Sequence, residues 1–190
     1  MELEIQDRSK ADSAVKKAFL KDKSFGRVLN LKNIPQDQQT KKLKIKFEID
    51  TNPPLGSHFE IKYLDFPIPF ALTLQDRPSL LAGKSHALLC RKYTKSRDWY
   101  DFLWYVQNTT SLNFKLLSNA LDQMGPWKNQ GIQVDKTWYR ENIGQKIQNL
   151  DWKAAKDDVI RFLGSQEQKG LEVWGQSFFL DRLEKLISKW

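Results

Sequence analysis

One cysteine, two histidines and no long apolar run are the first things to note in these 190 residues. A lone cysteine, Cys90, rules out an internal disulfide framework, and two histidines make a Cys/His metal site improbable, so any metal would be held by carboxylates. No stretch approaches the roughly 20 apolar residues that cross a bilayer, and the opening MELEIQDRSK has no apolar core of the signal-peptide kind. The cytoplasm is therefore the expected compartment, with no membrane partner. Neither a Walker A motif nor GxGxxG occurs, which removes the main support for kinase, GTPase and dinucleotide-binding readings. Internal repeats and low-complexity tracts are missing too.

What is present is a globular composition, 40% hydrophobic and 12% aromatic against 28% charged. The net charge of +8 suits an anionic partner such as a nucleotide or nucleic acid. Residues 11 to about 23 carry Ala14, Val15, Ala18 and Phe19 at helical spacing, and a loop rich in Lys, Asn and Gln is expected to follow. Over residues 42–50, Leu43, Ile45, Phe47 and Ile49 alternate with Lys44, Lys46, Glu48 and Asp50, the period of a strand with one buried face. Asn52, Pro53, Pro54 and Gly56 end it, and residues 59–64 and 69–74 read as two further strands. Beyond Asp76, an expected N-cap, the chain reads as helical: to about Tyr93, then 97–106 capped by Ser96, 112–124, 137–149, 152–163 and 171–189. Gly125, Pro126, Gly131, Asp151 and Gly164 separate the later helices. The expected fold class is α+β, a small β-sheet with helices followed by an all-helical region. All seven tryptophans fall at or beyond Trp99, so that region can supply large apolar contacts of its own.

Three groups of residues could carry chemistry. In SLLAGKSHALLCRKY, Leu80, Leu81, Lys84, Ala87, Leu88 and Arg91 share one broad helical face, so Lys84 sits inside an apolar stripe. Such a lysine snorkels, pairs with an acid or points into a site. In RDWYDFLWYV, apolar on nearly every face, Asp98 and Asp101 lie three apart on one side, with Arg97 spaced to pair with Asp101. Asp98 could equally do no more than offset the helix dipole. The short basic loop between the two helices forces a hairpin that brings Lys84, Asp98 and Asp101 within a few ångströms of one another. On the strand KLKIKFEID, Glu48 and Asp50 project from one face and are either a solvated surface or metal ligands. His58 and His86 read as surface or packing residues, and Cys90 as a small buried hydrophobe.

The segment SLLAGKSHALLCRKYTKSRDWYDFLWYV resembles the signature of the AbiEii/AbiGii toxin family of nucleotidyltransferases, a lysine helix followed by a basic loop and an Arg-Asp-x-x-Asp helix. KIKFEIDTNPP resembles the family's acidic strand, and DFPIPFALTLQ its lead into the lysine helix. The resemblance implies a nucleotidyltransferase fold with a helical C-terminal region, a nucleoside triphosphate substrate, Mg²⁺, and a tRNA, other RNA or protein acceptor. It also implies a bacterial toxin–antitoxin pair with a cognate antitoxin, some such pairs giving phage resistance. Carried over, Lys84, Arg91 and Arg97 would bind nucleotide, Asp98 and Asp101 would be catalytic, and Glu48 or Asp50 would be the metal-binding strand acid. Residues 1–76 would be a remnant of the nucleotidyltransferase core and 77–190 the helical region with both motifs.

One departure bears on activity. Family members open with a Gly-Ser turn and a following Asp-x-Asp pair, and no such arrangement precedes Lys42. The expectation is a chain that begins inside the family's domain and is inert alone, or completed by a second polypeptide. The competing expectation is a non-catalytic helical module that binds RNA or a partner protein through its basic surface.

Overall fold

The computed structural model describes residues 2–4, 15–22 and 43–190, with side chains described from Phe47 onward. The chain divides into two compact units, Met1–Pro53 and Pro54–Trp190.

In the first unit, β1 (Glu2–Glu4), β2 (Val15–Asp22) and β3 (Leu43–Asp50) form an antiparallel sheet in that order. The helix expected over residues 11 to about 23 is thus a strand over Val15–Asp22, and residues 11–14 and 23 lie outside the described residues. The reason is tertiary: all eight residues of β2 pair with β3, from Val15 opposite Asp50 to Asp22 opposite Leu43, and a full ladder overrides a weak local helical pattern. The loop expected after it also lies outside the described residues. The alternation of β3 holds as a strand, but Phe47 and Ile49 are 47% and 63% exposed. Strand pairing covers edges and leaves faces open, so an apolar alternation alone does not bury a face.

The second unit begins with an antiparallel ribbon of β4 (Phe59–Leu64) and β5 (Phe70–Gln75), a sheet separate from the first. Its side chains are largely exposed, and it is fastened at its base. The Asn113 side chain donates to Gly56 O and Ser79 Oγ, the His58 amide donates to Ser79 Oγ, and the Asn119 side chain donates to Leu55 O.

Seven α-helices follow: α1 (Arg77–Cys90), α2 (Ser96–Gln107), α3 (Phe114–Gln123), α4 (Lys136–Gln148), α5 (Trp152–Val159), α6 (Ser165–Lys169) and α7 (Gln176–Ile187), with 3₁₀ turns at Ile160–Phe162 and Gly170–Val173. The α+β class with a helical C-terminal region is what the sequence predicts. Asp76 caps α1 as expected, its Oδ1 accepting from the Ser79 amide at 2.9 Å. Ser96 does not cap α2; it is the first helical residue. Its amide donates to Asp158 Oδ2 at 3.2 Å, so a carboxylate from α5 does the capping. That bond, from the Ser96 backbone first of all, holds the Asp158 carboxyl below its ordinary pKa. The expected final helix is interrupted, a 3₁₀ turn at Gly170–Val173 preceding α7.

The core lies among these helices. Leu81, Leu89, Phe102, Leu117, Leu121, Tyr139, Ile143, Ile147 and Phe179 are fully buried. Phe179 stacks on Trp152 at 4.3 Å and meets Trp99 and Trp174 edge-on at 5.6 and 5.1 Å. Helix α2 buries Trp99, Phe102, Tyr105 and Val106, but Tyr100 and Trp104 remain exposed, so it is open on one side rather than enclosed.

Gly125, which ends α3, has φ +113°, and a Cβ there would stand 2.6 Å from Cys90 Sγ. Gly125→Ala is expected to destabilise by at least about 1 to 2 kcal/mol through the left-handed backbone, with the sulfur contact adding to that. An unchanged urea midpoint for this variant would contradict the geometry.

Candidate functional site

Helices α1 and α2, joined by residues 91–95, set the charged side chains. Lys84 lies midway along α1 and Asp98 in the first turn of α2. Lys84 Nζ is 2.8 Å from Asp98 Oδ1 and 2.7 Å from Asp101 Oδ2, while Arg91 Nε is 3.3 Å from Asp98 Oδ2. The predicted meeting of Lys84, Asp98 and Asp101 is present. Asp101 is not paired with Arg97, as the i, i+4 spacing suggested. Lys84 takes Asp101, and the Arg97 guanidinium lies 4.4 Å from the centre of the Phe162 ring, a cation–π contact.

Burial is graded across the group: the Asp98 side chain is 3% exposed, Lys84 23% and Asp101 49%. Burial works against the Lys84 charge, but hydrogen bonds and charge from Asp101 and Asp98 outweigh it and raise its pKa above the ordinary lysine value. Lys84 is therefore a firm cation at neutral pH. Asp98 Oδ2 is buried without a hydrogen-bond donor of good geometry. Tyr105, one turn beyond Asp101, feels burial first and then the opposed charges of Lys84 and Asp101, with a net rise in its pKa. Its i, i+4 spacing from Asp101 along α2 is the sequence signal for that proximity.

Next to this group, a cleft of about 200 Å³ is lined by Leu88, Arg91, Lys92, Tyr93, Lys95, Asp98, Trp99, Lys146 and Leu150, among others. Cys90 is half-buried, and burial pushes its thiol up to about 11, so it offers no nucleophile at neutral pH. His86 Nε2 bonds Met124 O at 2.9 Å, a packing role.

Glu48 and Asp50 belong to the first unit and are exposed; Asp50 Oδ1 accepts from the Asn52 amide at 2.9 Å, closing the turn after β3. Among the described residues, no three His, Cys, Asp or Glu side chains gather as a metal would require. Asp98 and Asp101 are already engaged by Lys84, and Asp98 has Arg91 beside it as well, so this pair does not fit a divalent ion. No helix among the described residues is long and apolar enough to cross a membrane.

The lysine helix, basic loop and Arg-Asp-x-x-Asp helix thus converge in space, and residues 3–182 match the family described as Nucleotidyl transferase AbiEii toxin, Type IV TA system. The chain belongs to the AbiEii family. No curated protein and no solved structure showed a match to it. Membership makes this AbiEii chain a nucleotidyl transferase toxin of the toxin–antitoxin kind.

Proposed function

We propose that this chain holds the phosphates of a nucleoside triphosphate on Lys84 and Arg91, with Asp98 and Asp101 as the acidic groups of the site and an RNA such as tRNA as acceptor. Its setting is a bacterial cytoplasm, within a phage-resistance pair that includes a cognate antitoxin. The observation that carries this reading is the graded burial of the charge group. A closed ion pair would bury all its members, whereas here Asp101 is half-exposed and Lys84 is reached by solvent. Asp101 can swing into water at little cost, since an exposed pair is worth about 1 kcal/mol or less, and that frees the Lys84 ammonium for a phosphate. Asp98, held by Arg91 and deeply buried, keeps its place while this happens. Glu48 or Asp50 is the strand acid in this reading, with residues 1–76 belonging to the nucleotidyltransferase core and 77–190 as the helical region.

Phosphoryl and nucleotidyl transfer gain most of their rate from ions that neutralise developing charge. With Asp98 and Asp101 engaged by cations and no Asp-x-Asp pair after a Gly-Ser turn, the chain is proposed to bind triphosphate without transferring it unaided. Equilibrium dialysis with ATP is expected to show weak binding that falls as salt rises and weakens about tenfold in Lys84→Met, the loss of one charge-assisted contact. No label is expected to pass from any of the four triphosphates to bulk tRNA with Mg²⁺ or Mn²⁺. Binding indifferent to Lys84 would overturn the nucleotide reading, and strong Lys84-dependent labelling would overturn the inertness.

A further inference from the structure

The ribbon of β4 and β5 carries apolar side chains on both faces. Along β4, Phe59, Ile61 and Tyr63 share one side, while Glu60, Lys62 and Leu64 share the other, where the register sets Leu74, Leu72 and Phe70 across from them. Two apolar faces are the mark of strands inside a larger sheet, yet Phe59 is 66% exposed, Ile61 61% and Tyr63 75%. Among the described residues β4 pairs with β5 alone, so its other edge holds backbone donors and acceptors that no strand uses. A lone two-stranded ribbon is marginal in water, and an open apolar edge is a template for one more strand.

The charges of β4 say which strand fits. Its first five residues, FEIKY, complement themselves when two copies run antiparallel with Ile61 opposite the partner's Ile61. Glu60 then faces the partner's Lys62, Lys62 faces the partner's Glu60, and Phe59 faces the partner's Tyr63, so each opposed pair is of unlike charge or apolar. Centring the pair on Glu60 or on Lys62 instead would set like charges opposite each other, which singles out one register. Within one copy Lys62 Nζ lies 3.1 Å from Glu60 Oε2, with the side chains 54% and 39% exposed, a solvent-screened contact that exchanges partners at little cost. Strand β5 has no charged residue, so its free edge carries no such pattern. We infer that two copies of this chain join edge to edge through β4 about a twofold axis at Ile61, completing a four-stranded antiparallel sheet. The seam is five residues long, so the dimer forms in a concentration-dependent way. It uses no residue of the Lys84 group and stands whether or not that group binds nucleotide.

The test is sedimentation equilibrium of the full chain over about a hundredfold range of concentration, where the parent is expected to pass from monomer to dimer. Glu60→Lys and Lys62→Glu each set like charges opposite one another twice per dimer, and each is expected to raise the dissociation constant about tenfold or more. An equimolar mixture of the two variants brings unlike charges together again across the seam, and its dissociation constant is expected to return to within about threefold of the parent value. Both positions are exposed, so the urea midpoints of the variants should match that of the parent. As a separate measure of register, Ile61→Cys is expected to run as a covalent dimer after mild oxidation, because opposed residues at the axis lie about 4.5 to 5.5 Å apart at Cα, within disulfide reach. A parent chain that stays monomeric throughout would show that the β4 edge is closed from within its own chain and would overturn the inference. So would single variants that dimerise as the parent does, or a mixture that dimerises no better than either variant alone.

Discussion

Asp98→Ala is expected to lower the urea midpoint by about 1 to 2 M, and Asp101→Ala to shift it hardly at all. Asp98 is 3% exposed between Lys84 and Arg91, and its removal leaves the half-buried Lys84 ammonium to the exposed Asp101 alone. Breaking a buried pair in this way costs roughly 3 to 5 kcal/mol, and the partial exposure of Lys84 places this case near the lower figure. At an m-value of about 2 kcal/mol/M, that gives the stated shift. Asp101, 49% exposed, has the solvent-screened kind of contact that contributes under about 1 kcal/mol. Equal and negligible shifts for the two variants would show that the group is a surface feature and would remove the basis of the site.

Phe179→Ala is expected to be as damaging, at about 3 to 5 kcal/mol, with the neighbouring Phe178→Ala much milder. Phe179 is fully buried, stacked on Trp152 and edge-on to Trp99 and Trp174, so its loss opens a cavity walled by large rings that cannot easily collapse. Phe178 is only partly buried, and its ring faces the Arg182 guanidinium at 5.3 Å. Denaturant unfolding of both variants with unchanged m-values decides the matter; similar losses would mean that the aromatic cluster is not where the stability of this unit resides.

The helical hairpin was legible because its signals are local. Asp76 at a helix start, Lys84 in an apolar stripe and two aspartates three apart across a five-residue loop fix which side chains meet. The partner of Asp101 was not legible, since Arg97 on the same helix and Lys84 on the next could both reach it. Phe162, whose ring draws Arg97 away, is distant in sequence. The strand over Val15–Asp22 escaped detection because its state is decided by β3 and not by its own pattern. The cleft was hidden for the same kind of reason: Lys146 and Leu150 come from the end of α4 and the turn after it, and no spacing within residues 84–101 announces them. Family likeness singled out Lys84, Asp98 and Asp101 by their motif, but the approach of Arg91 to the buried Asp98 oxygen is visible only in three dimensions.

The capping of α2 by Asp158 has a consequence for the order in which this toxin is built. A ribosome makes Lys84, Asp98 and Asp101 before Asp158, the carboxylate that receives the Ser96 amide and lies 62 residues downstream of it, and Phe179, which packs on Trp99, emerges later again. The hairpin that carries the charged group therefore leaves the ribosome before the helices that brace it. Its geometry is completed only after those later segments have been made, so a nascent AbiEii chain stays without a formed site for most of its own synthesis.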